Sequence, residues 1–445
     1  MRRQTHTSRI GRNAGPALGA RTLLNAHIDF AYEGKYYIAQ YNRYRTDDTY
    51  SRALTHRYVD GVLRFMWVGY NGSYLYNNGI PFSIREGTKP ANFGGDIPVV
   101  ASYNNVWTGS DGTGCWMGLY WDEQTSKVWS YIGIDYPDDT YIQYEPSMQS
   151  RTLPAASGLC TGHSGWHGLR TQSARCTNGR HQRVPTWAQT EYGFKPWISF
   201  GGGYHSRMIA GKPTSLGPVF IAYDDPSGFT PTAYTSDTAS IPLANQQILT
   251  DTRGSAGHGD WYVTPGYAGR LADRGCKVTN CVNDYNHFEG YQGWASKPNL
   301  QPPGDPDGWN RWTWGDSFGS SGNWIDNNAG TRTKHGIVCI QRVGKGRMWY
   351  QNSQLNQDED AYEIMVYDPA DLNAVKNGTL GAWKVRPKSI AHIPNANIAN
   401  NGEGLSSGTI TQCVSASYDA VAEKLWVGVL QQNGMSLVLQ YAVAT

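Results

Sequence analysis

The sequence predicts an all-β protein, a β-propeller of six or seven blades with long insertions between its strands. Three observations favour this fold: helical periodicity is scarce, short strand-like runs alternate with turn-forming residues, and one hairpin pattern recurs along the chain. Paired β-sandwiches and a β-helix are the alternatives. We expect a basic N-terminal arm at residues 1–28 and one propeller domain at residues 29–445.

The predicted strands are short apolar and aromatic runs bounded by Gly, Asn, Asp or Pro. They are KYYIAQY, LRFMWVGY, PVFIAYD, GIVCIQRV, RMWYQN, YEIMVYD, KLWVGVL and LVLQYAV. We expect the last run to pair with N-terminal strand material and so to close the ring. One short helix is predicted in DPADLNAVKNG, Asp368–Gly378, because Asp and Pro stand at its start and Gly at its end.

The recurring hairpin consists of a charged residue that ends one strand, a turn of about four residues, and a second strand that opens with an apolar residue and Trp. Its copies are DEQTSKVW (122–129), DAVAEKLW (419–426), RVGKGRMW (342–349) and, more loosely, DGVLRFMW (60–67). Their Trp residues lie 62, 220 and 77 positions apart. The long interval fits three further units of about 73 residues, which is the spacing of a repeat architecture.

The aromatic stretch GLYWDEQTSKVWSYIGIDY (118–136) contains one of these copies. Trp129 recurs at the same place in all four copies, so we assign it to packing between blades. Tyr131 matches no aromatic residue in the other copies. We therefore expect Tyr131 to be free to contact a ligand or a neighbouring subunit.

The hairpin signature Y-D-x4-K-L-W-V resembles the blades of the β-propeller superfamily. Four stretches carry a wider resemblance, to largely uncharacterised secreted bacterial propeller-like proteins, over roughly residues 30–445. They are ALTHRYVDGVLRFMWVG, GLYWDEQTSKVW, FGGGYHSRMIAGKPTSLGPVFIAYD and the region from WIDNNAGTRTKHGIVCI to YEIMVYDPADL. The resemblance implies a fold and says little about chemistry, because propellers include both enzymes and binding proteins.

Composition excludes some classes of function. Charged residues make up 17% of the chain and the formal net charge is +2, so the chain lacks the basic surface of a nucleic-acid-binding protein. It contains no run of 18 apolar residues, so we expect no membrane insertion. The 17 Trp and 29 Tyr are typical of aromatic-rich β proteins and also of proteins that stack on sugar rings.

Cysteine usage favours an oxidising compartment. Two local disulfides are expected, one from Cys160 and Cys176 and one from Cys276 and Cys281. Cys115, Cys339 and Cys413 lie in strand-like runs and are expected to be buried thiols. We therefore expect an extracellular or cell-surface location, although no signal peptide is recognisable.

The N-terminal arm has five Arg residues and no acidic residue before Ile28. We expect it to lie against its own domain or a neighbouring subunit. If the arm contacts a neighbouring subunit, the protein assembles with copies of itself into a homo-oligomer or a filament.

Polar candidates for a site are densest in residues 160–207. They are His163, His167, Arg170, Arg180, His181, Arg183, Tyr204, His205 and Arg207. Within this set, Tyr204, His205 and Arg207 have the residue types of a polysaccharide lyase, which neutralises a uronate carboxylate and moves protons. A Gly-rich turn with solvated side chains is the alternative.

Two further segments are candidates for ligand binding. The loop WIDNNAGTRTKHG contains Asp326, Arg332, Lys334 and His335, which we expect at the rim of a blade. The insertion QPPGDPDGWNRWTWGD contains Trp309, Trp312 and Trp314, which suit either sugar stacking or local packing. In the same insertion Asp305 and Asp307 match half of a calcium loop, so calcium is the one possible cofactor.

These features favour a non-catalytic extracellular propeller, acting as a self-assembling structural protein or as a glycan-binding surface protein. The alternative is a carbohydrate-active enzyme, for which the residue types favour a polysaccharide lyase that acts on acidic glycans. The sequence leaves open whether the protein is an enzyme.

Overall fold

A computed structural model describes the strands, most of the short turns between them and two helices. The described residues are 28–38, 53–69, 83–104, 114–134, 146–162, 164–169, 180–200, 218–231, 241–251, 322–326, 335–351, 354–381, 385, 387–394, 397, 411–431 and 436–444. Their strands form five sheets, and each sheet is one blade of a propeller-like ring.

The blades are numbered along the chain and their strands are given from the ring centre outward. Blade I has β2 (Leu54–Val59), β3 (Val62–Gly69), β4 (Ser83–Thr88), β6 (Val99–Asn104) and β10 (Gly158–Leu159). Blade II has β7 (Gly114–Asp122), β8 (Lys127–Ile134), β9 (Pro146–Thr152) and β11 (His167–Gly168). Blade III has β12 (Arg180–Arg183), β13 (Trp197–Phe200), β14 (Pro218–Tyr223) and β15 (Gln246–Asp251).

Blade IV has β16 (Asn323–Asp326), β17 (His335–Gln351), β18 (Gln354–Tyr367) and β19 (Pro387–Ile393). Blade V has β20 (Thr411–Asp419), β21 (Lys424–Gln431), β22 (Leu437–Ala444), β1 (Asp29–Ile38) and β5 (Asp96–Ile97). The first strand of the chain therefore pairs antiparallel with the last, and this pairing closes the ring as predicted.

A hydrophobic cluster lies at each junction between neighbouring blades. Blades II and III share Trp129, Tyr131, Met148, Trp197 and Tyr223, and blades V and I share Tyr36, Trp426, Leu54, Phe65 and Trp67. The other three junctions have clusters of the same kind, rich in Val, Ile, Leu and aromatic residues. Each sheet therefore buries both faces against its neighbours, which an isolated blade cannot do.

The described strands form a ring of five blades, and the predicted six or seven blades are not confirmed. Blade III packs directly on blade IV, where Phe200 and Phe220 meet Trp324, Ile337 and Met365, so no blade separates them. The sequence-based count divided the chain by the spacing of the hairpin copies. That division assumed a hairpin at every copy, whereas the copy at residues 342–349 lies within a single strand.

Two copies of the hairpin have the predicted form. The turns at residues 123–126 and 420–423 each span four residues, and each ends in a left-handed residue, Ser126 (φ 53°) and Glu423 (φ 51°). The loosest copy has a shorter turn, Asp60-Gly61, with φ angles of 51° and 76°. Two consecutive positive φ angles are the geometry of a tight two-residue hairpin.

The remaining copy, residues 342–349, was wrongly predicted as a hairpin. This stretch lies inside β17, which runs unbroken alongside β18. Between Lys345 and Met348 the register shifts, so that two residues of β17 face one residue of β18. A glycine-containing stretch in a strand is accommodated by such a bulge, and here it bends the strand without reversing it.

The described helices are α1 (Thr186–Tyr192) and α2 (Pro369–Lys376). The second confirms the prediction, because the Asp368 carboxylate accepts a hydrogen bond from the Ala370 N–H and caps its start. The first was not predicted, since its seven residues are too short to show periodicity. Neither helix has the length and hydropathy that a membrane span requires.

Candidate functional site at the ring centre

The innermost strands bring polar and aromatic side chains to the ring centre. Arg180, at the start of β12, is buried with 3% of its surface exposed. Its Nη1 donates a hydrogen bond to the Leu54 carbonyl at 3.3 Å and another to the Ala416 carbonyl. These carbonyls belong to β2 and β20, so one side chain of blade III links blades I and V across the centre.

Arg180 has no carboxylate partner among the residues that the structure describes. Its guanidinium Cζ lies 5.6 Å from the centroid of the Tyr120 ring, an arrangement that attracts a cation to the ring face. Nη1 makes both hydrogen bonds, and the buried Nε makes none. Burial lowers the pKa of Arg180 to about 10, and nearby Tyr120 and Tyr131 oppose this shift only in part.

His56 on β2 is close enough to this guanidinium for the positive charge to act on its imidazole. Its Nδ1 is 2.7 Å from the Ser417 Oγ on β20 of the neighbouring blade. Burial lowers the pKa of His56 to about 4, the Asp419 carboxylate opposes the shift, and Arg180 adds to it. The imidazole is therefore neutral at pH 7.

Tyr120 on β7 adds a phenol to the centre. Burial raises its pKa well above the usual value, and Asp122 raises it further. The phenol is therefore protonated at every physiological pH and can donate a hydrogen bond. Its ring also packs edge-on against Trp197, with 5.9 Å between centroids.

Two aspartates at the ends of innermost strands bond to the next blade around the ring. Asp122 ends β7 and accepts a hydrogen bond from Arg183 Nε of blade III at 2.8 Å. Asp419 ends β20 and accepts one from the Tyr58 hydroxyl of blade I at 2.7 Å. Both carboxylates also cap their own turns, since they accept hydrogen bonds from the backbone N–H of Gln124 and of Val421 respectively.

Arg183 is neutralised by two carboxylates. Besides Asp122, its Nη1 lies 3.1 Å from Asp225 Oδ2. Burial lowers the pKa of Arg183, but the bonds to both carboxylates outweigh it and the net shift is upward. Arg180 and Arg183 lie three residues apart on one strand. Their pKa values shift in opposite directions because, of the two, only Arg183 has acidic partners in the described part of the chain.

Tyr131 is buried, which corrects the expectation that it faces a ligand or another subunit. Its hydroxyl donates to the His181 carbonyl at 2.6 Å, and its ring stacks on the His181 imidazole with 4.5 Å between centroids. His181 Nδ1 in turn lies 2.8 Å from the Tyr223 hydroxyl. These residues, with Met148, form a network inside the junction of blades II and III.

Trp129 is buried in the same junction, as predicted, and Trp67 and Trp426 are buried in the junction of blades V and I. The Trp residues of the true hairpins therefore pack between blades. Much of the aromatic excess among the described residues serves packing, and it is not in itself a sugar-binding surface.

The predicted ligand-binding loop is described only at its two ends. Asp326 is the last residue of β16 and His335 the first of β17, and their backbones pair across the sheet. His335 is buried and its ring lies 5.4 Å from that of Trp187, so it is inside the fold and not at the rim. Arg332 and Lys334 lie outside the described residues, as does the side chain of Asp326.

The other predicted sites also lie outside the described residues. They are the catalytic candidates Tyr204, His205 and Arg207, the aromatic candidates Trp309, Trp312 and Trp314, and the calcium candidates Asp305 and Asp307. In the part that is described, no group of three or more His, Cys, Asp or Glu residues has the geometry of a metal site.

The cysteines are described in part. Cys160 and Cys339 are buried free cysteines, as expected for Cys339. Because Cys160 is free, the disulfide predicted between Cys160 and Cys176 is not formed in this structure. Cys276 and Cys281 lie outside the described residues, so their disulfide remains a prediction. Cys115 and Cys413 lie in β7 and β20, as their strand-like surroundings indicated.

Sequence reasoning found part of this centre and missed part. Arg180, His181 and Arg183 lie in the segment with the densest polar candidates, and the structure places them on the innermost strand of blade III. His56 and Tyr58 were missed. Their signal is the alternation in LTHRYV, where His and Tyr occupy every second position of a strand next to the turn of a hairpin copy.

The fold and its centre define a five-bladed, propeller-like all-β protein. No protein-family model matches the chain, and no curated protein matches it significantly. Among solved structures, the chain is similar to a crystal structure of a DUF4221-family member from Bacteroides vulgatus. The identity is 6%, the alignment covers 94% of this chain and 99% of that chain, and the TM-score is 0.33. A likeness at this level carries no argument about function.

Proposed function

We propose that this protein is a non-catalytic extracellular propeller that binds glycans or assembles with copies of itself. One observation carries the proposal: most polar groups on the innermost strands pair with one another across blades. Asp122 bonds Arg183, Asp419 bonds Tyr58, and His56 bonds Ser417. Groups committed in this way stabilise the ring and are poorly suited to moving protons on a substrate.

Glycan binding is tested by presenting the full chain with neutral and acidic polysaccharides of the kinds found outside cells. We expect retention on at least one of them without any change in polysaccharide length. If none of the polysaccharides retains the protein, glycan binding is rejected and self-assembly is left as the proposed function.

Self-assembly is tested by deleting residues 1–27 and measuring mass in solution by light scattering. The deletion has to stop there, because Ile28 is 1% exposed in the junction of blades IV and V and its carbonyl accepts a hydrogen bond from Ser389 at 2.7 Å. We expect the full chain to be oligomeric and the shortened chain to be a folded monomer. An unchanged mass would show that the N-terminal arm is not the assembly element.

A polysaccharide lyase is the second candidate, and one observation favours it. The ring centre combines the residue types that lyase chemistry needs: the neutral imidazole of His56, the protonated phenol of Tyr120 and the guanidinium of Arg180. In such an enzyme Arg180 would neutralise a uronate carboxylate. New ultraviolet absorbance from an unsaturated product on acidic polysaccharides, lost in His56→Gln, would establish this activity.

A further inference from the structure

The least satisfied charge in the described part of the ring centre is the guanidinium of Arg180. Among the residues that the structure describes, its hydrogen bonds go from Nη1 to two backbone carbonyls, and Nε is buried without an acceptor. A buried cation without a counter-charge is costly, because carbonyl dipoles and one aromatic face replace only part of the lost hydration. An anion beside this side chain would supply what the protein does not.

The neighbouring groups add hydrogen-bond donors. The Tyr120 phenol carries a proton at neutral pH. If His56 Nδ1 accepts the proton of the Ser417 hydroxyl, the other ring nitrogen of His56 carries the N–H and is a donor. Asp122 lies near Tyr120 and Asp419 lies near His56, but these carboxylates are already bonded to Arg183 and to Tyr58. The two donors can therefore serve an anion, as donors do in other anion sites.

The charge balance indicates which anion fits. His56 is neutral at pH 7, and Arg183 is already paired with Asp122 and Asp225. The Asp419 carboxylate is bonded to Tyr58 and to its own turn and not to Arg180. Arg180 therefore carries a positive charge that no described carboxylate pairs. A monovalent anion balances this charge, whereas a dianionic phosphate would leave a second negative charge buried and unpaired. A guanidinium also matches a carboxylate in shape, since both are planar forks.

We propose that Arg180 and its neighbours Tyr120 and His56 form a binding site for one carboxylate group at the centre of the ring. The site deepens the proposed function, because the carboxylate of an acidic sugar is a ligand of this class. It does not depend on that function, since a small organic acid would bind through the same contacts. It also requires no catalysis.

The experiment follows thermal unfolding of the full chain at equal ionic strength with sodium acetate, sodium chloride or the neutral analogue acetamide. We expect a saturable rise in the midpoint of about 1–2 °C with acetate, because a ligand that binds only the folded state stabilises it. Chloride is expected to have a smaller effect and acetamide none. Equal effects of acetate and chloride would overturn the site, and this comparison needs no variant.

Variants then assign the effect to Arg180. We expect Arg180→Gln to abolish the acetate shift and Arg180→Lys, which keeps the charge and loses the fork, to weaken it. The matched control is Lys195→Gln, which removes one positive charge from a partly exposed pair with Asp224 and should keep the full shift. An acetate shift that survives in folded Arg180→Gln would overturn the assignment.

Thermal unfolding with galacturonate, an acidic sugar, and with galactose, its neutral counterpart, tests the carboxylate site separately from the proposed function. A shift with acetate and galacturonate but not galactose supports both. A shift with acetate alone supports the site and argues against an acidic sugar as its ligand. Polysaccharide retention that is unchanged in Arg180→Gln, together with no acetate shift, overturns the site and leaves glycan binding in place.

Discussion

Arg183 Nε lies 2.8 Å from Asp122 Oδ1, and this ion pair joins the innermost strand of blade III to that of blade II. The Asp122 side chain is completely buried, whereas that of Arg183 keeps 17% exposure. The pair has a counterpart two junctions away, where Asp419 of blade V accepts a hydrogen bond from Tyr58 of blade I. In both cases the aspartate that ends an innermost strand bonds to the blade that follows it in the ring.

Replacing Arg183 with Gln should lower the free energy of unfolding by about 2–3 kcal/mol, because the buried Asp122 carboxylate loses its cation. Urea unfolding followed by Trp fluorescence measures the change. The control is Lys195→Gln, whose partly exposed pair with Asp224 is expected to contribute less than about 1 kcal/mol. Similar losses in the two variants would show that the buried pair does not hold blades II and III together.

The bond between Tyr58 and Asp419 should appear as a coupling between blades I and V. Asp419→Asn can retain the turn bonds through Oδ1, which accepts from the Val421 and Ala422 N–H groups, and loses the charged acceptor for Tyr58. With Tyr58→Phe it forms a double-mutant cycle, in which we expect a coupling free energy of about 1–2 kcal/mol.

Asp60→Asn is the matched control for that cycle. Asp60 occupies the corresponding turn of the loosest hairpin copy and is exposed, with a left-handed φ of 51° that Asn tolerates. We expect a change within about 0.5 kcal/mol. Additive effects of Tyr58→Phe and Asp419→Asn would contradict the coupling.

These two junctions show how far the sequence predicts the fold. The hairpin pattern correctly placed Asp122 and Asp419 at the ends of strands and Trp129 in a packed interface, because a turn and its flanking residues are local features. Their partners, Arg183 and Tyr58, depend on which blade comes next around the ring. Asp122 and Arg183 are separated by 61 positions in the sequence, and Tyr58 and Asp419 by 361. No local pattern predicts pairs so far apart.

The contacts at the ring centre were also beyond what local sequence patterns predict. Arg180 was among the polar candidates, but it was grouped there with Tyr204, His205 and Arg207 because they are close in sequence. Its contacts are instead with the Leu54 and Ala416 carbonyls, 126 and 236 positions away. The predicted number of blades was not confirmed, for a related reason: spacing alone cannot distinguish a hairpin from the bulged strand at Lys345–Met348.

Stability should fall in mild acid because His56 resists protonation in the folded state. Its pKa is about 4 in the fold and 6.5 in the unfolded chain, so the two states bind protons equally above pH 6.5. As the pH falls from 6.5 towards 4, only the unfolded chain takes up this proton, and the fold loses up to about 3 kcal/mol. Below pH 4 this group causes no further loss.

His167 should also lower the stability of the fold in mild acid, because burial lowers its pKa to about 4 as well. Removing His56 should therefore reduce the slope of stability against pH between 6.5 and 5 without abolishing it. Urea unfolding of wild type and His56→Gln at several pH values measures that slope, and His392→Gln, at an exposed position on β19, is the control. A slope that is unchanged in His56→Gln would show that the buried imidazole is not responsible.

At Gly322 the backbone of blade IV lies so close to Phe200 of blade III that no side chain fits between them. A Cβ at this position would lie 2.1 Å from Phe200 Cγ and 2.3 Å from Phe200 Cβ, and the Phe200 side chain is fully buried between the blades. Gly322→Ala should therefore destabilise the ring by about 1–3 kcal/mol, since the ring of Phe200 has to move within a close-packed core. Gly228→Ala is the control, because nothing lies within 4 Å of its added Cβ. If both variants unfold at the same urea concentration as the wild type, blades III and IV do not pack as closely as this junction requires.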